Sequence, residues 1–196
     1  PWGKGLWPAL WMLPVDDKYG GWAASGEIDL MEIVGEKPEE VLNSIHFGST
    51  FPKRSLITTT HALRNGTQGS LVSDWHTYAV EWEPGEIRFF VDEVQTCTYR
   101  HWWSCSKLVK GAGVEAKKEA DLNPWPAPFD QPFYLVMNVA VGGNFPGAPN
   151  DKTRFPAELV VDYVRVYDKV GGYGPPKARG PGVMPWQKGH QSERRT

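Results

Sequence analysis

Three carboxylates occur within the run Gly26-Glu27-Ile28-Asp29-Leu30-Met31-Glu32, interleaved with Ile28 and Leu30 and followed by Ile33. A pair of carboxyl groups about 5 to 5.5 Å apart cleaves a glycosidic bond with retention: one attacks the anomeric carbon while the other protonates the departing oxygen. A third acid between them would hydrogen-bond the nucleophile and, by like-charge repulsion, keep a neighbour protonated near neutral pH. Two other readings stay open for three clustered acids. One is a solvated acidic face, which leaves the interleaved apolar residues and nearby tryptophans unexplained. The other is a calcium site, since hard oxygen ligands bind that ion.

The backbone that carries these residues decides whether they meet. On a strand, alternate side chains share a face, so Glu27 and Asp29 point one way and Ile28 and Leu30 the other. Glu32 breaks the parity. One extra residue at about Met31, a β-bulge, returns Glu32 to the acidic face and Ile33 to the apolar one. On a helix, Glu27 and Asp29 would lie about 160° apart around the axis and the three acids would share no face. Strand rise leaves the backbones of Glu27 and Glu32 more than ~10 Å apart, so side-chain reach and sheet curvature must close the gap.

Short apolar or alternating runs divided by turn signals dominate the chain, which predicts an all-β domain. The expected strands are 6–13, 27–34, 43–47, 76–83, 86–91, 133–141 and 158–167. The pair 76–91 is the clearest: Thr77, Ala79 and Glu81 alternate with Tyr78, Val80 and Trp82, and Pro84-Gly85 turns the chain back as a hairpin. Residues 102–128 resemble no strand and are expected as a long surface excursion, with 115–119 forming a short helix or a mobile loop. From residue 170 the composition shifts to Gly, Pro, Lys and Arg, so 1–169 is expected as one catalytic domain and 170–196 as a flexible tail.

Composition narrows the partners. A chain of 196 residues is long enough for one sizeable core, and a net charge of -2 argues against nucleic acid. Most of the ten Trp are expected to pack in the core, although ten exceed what a core of this size requires. No apolar run approaches the ~20 residues of a membrane span. Cys97 and Cys105, seven residues apart, would close a short disulfide loop if their geometry allows it; they supply too few ligands for zinc. Asn65-Gly66-Thr67 is an N-glycosylation sequon, meaningful on a secretory route.

The acidic motif resembles the signature of glycoside hydrolase family 16. Its two residues between Asp29 and Glu32 are similar to the laminarinase-like, endo-1,3-β-glucanase branch. Further segments match in the family's order: Gly5-Leu6-Trp7-Pro8-Ala9-Leu10-Trp11-Met12-Leu13-Pro14, Asp74-Trp75-His76-Thr77-Tyr78-Ala79-Val80-Glu81-Trp82, Asn138-Val139-Ala140-Val141-Gly142-Gly143-Asn144-Phe145-Pro146-Gly147 and Val161-Asp162-Tyr163-Val164-Arg165-Val166-Tyr167. The resemblance implies a β-jelly roll of two curved antiparallel sheets with a glucan cleft on the concave face. It also implies Glu27 as nucleophile, Glu32 as general acid/base and Asp29 as assisting carboxylate. Trp7, Trp11 and Trp22 are implied as cleft aromatics, with core packing as the alternative for each. Asn43, His46 and Asn144 are implied as sugar contacts, and a structural role is the alternative for a lone strand histidine. Asp162 is implied as a ligand of a structural calcium, the alternative being an exposed strand-end acid; the chemistry itself needs no cofactor.

By the same resemblance the expected activity is endo-acting, retaining hydrolysis of β-1,3-glucan, extending to mixed β-1,3/1,4-glucan, by a secreted monomer with no membrane partner. Glucan binding without catalysis, transglycosylation and a plain structural jelly roll are the competing functions. Family members carry some tens of residues before the match to Gly5-Leu6-Trp7, including first strands that this chain lacks, so open sheet edges are expected.

Overall fold

The computed structural model describes residues 1–63, 74–106 and 116–187. Among them are eight strands: β1 Leu6–Pro14, β2 Glu27–Glu32, β3 Glu40–Gly48, β4 Arg54–Ala62, β5 Tyr78–Glu83, β6 Glu86–Val91, β7 Val94–Tyr99 and β8 Phe133–Val141, with one 3-10 turn at Glu119–Asp121. They form two antiparallel sheets. Five strands make the first, in the order β4-β3-β2-β1-β8, and β5-β6-β7 make the second. The expected all-β jelly-roll sandwich is the architecture observed.

Alternation along the strands produces the core. Ile28 of β2 and Ile45 and Phe47 of β3 point inward against Ile87 and Phe89 of β6 and Tyr99 of β7, all nearly inaccessible. Burying each such aliphatic or aromatic side chain contributes roughly 1.5–3 kcal/mol. The opposite face of the same strands is thereby left free for chemistry. The predicted hairpin is present, with Glu83 opposite Glu86 across Pro84-Gly85 and Gly85 at a φ of 81° that the turn requires.

Two strands were not expected from sequence, β4 and β7. Their Thr-rich stretches show little apolar alternation, yet threonine fits a pleated surface well. One expected strand is absent: residues 158–167 keep an alternating pattern but join neither sheet. A pleated sequence becomes a strand only where a neighbouring backbone supplies ladder bonds. The three-stranded sheet reaches β8 at Phe133, which packs edge-on against Trp82, while Met137 and Val141 farther along β8 are 48% and 54% exposed.

Part of the segment expected as a tail is packed. Residues 177–187 run along the second sheet rather than hanging loose: Lys177 N donates to Pro84 O at 2.9 Å, and Met184 and Trp186 pack into the core. Buried Glu86 pairs with Arg88, Arg100 and Lys177, tying that segment to β6. Both cysteines are free thiols. The sequon 65–67 and residues 107–115 of the excursion lie outside the described residues; Trp102 and Trp103, at the start of what was expected as a surface excursion, are buried in the core.

Candidate active site

The three acids stand on β2, and the bulge decides where each one points. Glu27 pairs with His46 and Asp29 with Ser44 on β3, but Glu32 pairs with Leu42, so Leu30 and Met31 together face the single residue Asn43. Against β1 the slip recurs, with Asp29 opposite Trp11 and Glu32 opposite Ala9. The extra residue returns Glu32 to the face of Glu27 and Asp29 while Ile28, Met31 and Ile33 stay in the core. Gly26 starts the strand at a φ of 90°, and a Cβ there would lie 2.9 Å from the Phe129 ring, so only glycine fits.

Each outer acid receives its own indole N–H. Trp22 Nε1 donates to Glu27 Oε2 at 2.7 Å, and Trp7 Nε1 donates to Glu32 Oε1 at 3.1 Å. Ser44, the partner of Asp29 in the ladder, donates its hydroxyl to Glu32 Oε2 at 3.3 Å. Glu32 therefore leans back along the strand toward the other acids. His46 Nε2 lies 3.3 Å from both Glu27 Oε1 and Asp29 Oδ2. Its Nδ1 lies 3.1 Å from Arg54 Nη1, and a guanidinium has no acceptor, so Nδ1 accepts and Nε2 carries the hydrogen toward the two acids. Arg54 also stacks over the Trp22 ring at 5.0 Å from its centroid.

Burial, reinforced by the charges of Asp29 and Glu32, pushes the Glu27 carboxyl up to about 8, while His46 and the Trp22 N–H act in the opposite direction. Repulsion within the trio was expected to raise the acid rather than the nucleophile candidate. The unfolded carboxyl titrates near 4.5 and the folded one near 8, so the stability linked to that proton is complete below about 4.5 and is lost as pH rises through about 8. Glu27→Gln, which cannot ionise, is expected to change stability little near pH 5. Near pH 9 it is expected to raise stability by a few kcal/mol, from ~1.4 kcal/mol per unit of displacement. Melting temperatures of both proteins at the two pH values check this, and equal differences at both would contradict it.

A cavity of about 410 Å³ opens beside Glu27, lined by Trp11, Trp22, Asp17 and Tyr134 among others. Trp22 is 36% exposed, on a loop braced by Ser25 and Gln131 and joined to residue 51 through Phe51 N donating to Trp22 O. Trp11 is fixed by its N–H donated to Asn138 Oδ1 at 2.7 Å. Trp7 packs edge-on against Phe145, in the exposed loop that also holds Asn144.

One expected sugar contact does not join the site. Asn43 is fully buried and faces the second sheet, because three positions separate it from His46 on one strand and that puts them on opposite faces. Asp162, implied as a calcium ligand away from the cleft, lies exposed in the irregular segment 158–167 and belongs to no group of three or more His, Cys, Asp or Glu ligand atoms among the described residues. Glu27, Asp29 and His46 do offer ligand atoms within 4.8 Å of one another. The proton on His46 Nε2 and the adjacent guanidinium both oppose a dication there, which favours proton chemistry. Arg54, Ser44 and Asn138 were not singled out from sequence as site residues. They become partners only through strand register, and the one local signal was parity with His46.

Fold and site together define a class, a β-jelly roll with a tryptophan-lined cleft over a buried row of acids. The chain belongs to the glycosyl hydrolases family 16, whose model matches residues 1–105. It is 44% identical over 171 residues to glucan endo-1,3-beta-glucosidase A1 of Niallia circulans, covering 85% of this chain and 23% of that protein. To the beta-glucanase of Rhodothermus marinus it is 43% identical over 175 residues, covering 85% and 54%. The laminarinase catalytic domain of Thermotoga maritima superposes with a TM-score of 0.58 at 32% identity, covering 79% of this chain and 55% of that one. The chain thus spans from about a quarter to just over half the length of these relatives.

Proposed function

We propose that the protein is an endo-acting, retaining β-1,3-glucanase that cleaves laminarin-type glucan and, more slowly, mixed β-1,3/1,4-glucan. The observation that carries this reading is the bulge, which sets Glu27 and Glu32 on one face with Asp29 between them and gives each outer acid its own indole donor. In the first step a Glu27 oxygen bonds to the anomeric carbon as the bond to the glycosidic oxygen breaks, and Glu32 gives that oxygen its proton. Glu32 then takes a proton from water, which displaces Glu27 with the configuration restored. Attack requires Glu27 ionised. The Trp22 N–H donated to it and the neighbouring His46 favour that form, against the burial and the Asp29 charge that favour the protonated one.

Trp22 and Trp11, beside the cavity, offer flat faces for glucose rings, and Asn144 borders the Trp7 end. A polymeric substrate implies a secreted, extracellular enzyme. Calcium enters no step.

Reducing-end release from laminarin, lichenan and agarose is the test. Laminarin is expected to be cleaved fastest and lichenan second, with agarose untouched. Folded protein that binds laminarin and releases no reducing ends would overturn hydrolysis. Products longer than the starting oligosaccharide would replace it with transglycosylation.

A further inference from the structure

The bulge that aims Glu32 is not self-supporting. An inserted residue takes backbone groups out of the ladder, and a buried carbonyl left in that state is costly unless something else bonds it. Here Asn43 does so: its Nδ2 donates to Leu30 O at 2.6 Å, at the bulge itself. Asn43 is fixed in turn from the opposite sheet. Thr96 Oγ1 donates to Asn43 Oδ1 at 2.7 Å, and the Tyr99 hydroxyl donates to Asn43 O at 2.9 Å.

Thr96 is itself an inserted residue. Phe89 pairs with Cys97 but Phe90 pairs with Gln95, so the β6–β7 ladder slips by one at Thr96. Freed from regular alternation, its hydroxyl lies 3.2 Å from Phe89 O as well as reaching Asn43. A bulge in one sheet is thus bonded through a single buried amide to a bulge in the other. Neither Asn43 nor Thr96 faces the cleft, and neither touches the three acids through any of these bonds.

We infer that Asn43 and Thr96 form a positioning clamp that holds the β2 bulge in the register that brings Glu32 onto the catalytic face. The inference rests on the reading of Glu32 as acid/base. It makes the clamp matter for the proton transfers at Glu32, while Glu27, which precedes the bulge and is held by Trp22 and His46, keeps its place without it.

Leaving-group dependence separates these two roles. Cleavage of a 2,4-dinitrophenyl β-laminaribioside needs Glu27 to attack but needs no proton from Glu32, because the phenolate departs unprotonated. The burst of dinitrophenolate then reports Glu27 alone. For Asn43→Ala, kcat on laminarin is expected to fall about 10²-fold, the scale of an ångström-sized misplacement. KM is expected to stay within about 3-fold and the burst rate within about 3-fold of the parent. Azide, which needs no general base, is expected to speed the slow phase after the burst and to yield the β-glycosyl azide.

Thr96→Val, which removes one donor and keeps the shape, is expected to show the same split at about 10-fold; it decides the question alone if Asn43→Ala does not fold. Burst and laminarin turnover falling together, or neither falling, would overturn the clamp. Glu32→Gln is the control. If it shows the split and the clamp variants do not, the clamp is wrong and the assignment of Glu32 stands; if Glu32→Gln shows no split, that assignment is wrong.

Discussion

Glu27→Ser is expected to lose at least about 10⁴-fold of the activity on laminarin, because it removes the carboxylate assigned to form the covalent intermediate. Serine leaves room where the carboxylate stood, between the Trp22 N–H and the His46 Nε2–H. Azide is small enough to enter that space. With an activated glucoside it is expected to restore turnover by attacking from the Glu27 side, and the glycosyl azide must then have the α configuration, since a single displacement inverts. The fold should survive, because the variant removes a carboxyl whose burial and like-charge neighbours oppose its ionised form. Kinetics on laminarin and the anomeric coupling of the azide product check both parts. A β-azide, or a loss smaller than about tenfold, would assign the nucleophile elsewhere.

Glu32→Gln is expected to lower kcat on laminarin by about 10²–10⁴-fold, the usual contribution of a positioned general acid and base. The amide oxygen can still accept from Trp7 while its NH2 donates to the Ser44 oxygen, so the pocket keeps its shape while the transferable proton is lost. Substrates whose leaving group needs no protonation should still form the glycosyl-enzyme. That intermediate should then accumulate, because no base activates water. Azide added to this variant is expected to give the β-azide by two displacements, the opposite outcome to Glu27→Ser. The same configuration from both variants would mean that the two acids do not have separate roles.

Much of this arrangement was legible from residue order. The acids announced themselves because Glu32 violates the parity that Glu27 and Asp29 set, and only a bulge reconciles the three with Ile28 and Ile33. The β5–β6 hairpin followed from its alternation and Pro84-Gly85. Strand β4 stayed hidden because Thr58, Thr59 and Thr60 are polar on both faces, and with it went Arg54, whose contact with His46 depends on the β3–β4 register. Asn43 was misread as a sugar contact although its odd spacing from His46 already placed it on the other face. Segment 158–167 shows the converse limit, since alternation specifies a strand only when a partner edge is beside it. The packing of 177–187 arises from Met184 and Trp186, two apolar residues in a stretch whose average composition is that of a loose tail.

The central claim is that Glu27 attacks the sugar while Glu32, across the bulge, handles the proton. An activated 2-deoxy-2-fluoro β-1,3-linked disaccharide forms the covalent intermediate but hydrolyses slowly, so peptide mass spectrometry after inactivation locates the attacking residue. The account predicts one sugar per chain, attached to Glu27 in the peptide that also contains Asp29 and Glu32. A label on Asp29 or Glu32, or no label from a protein that cleaves laminarin with inversion, would contradict it.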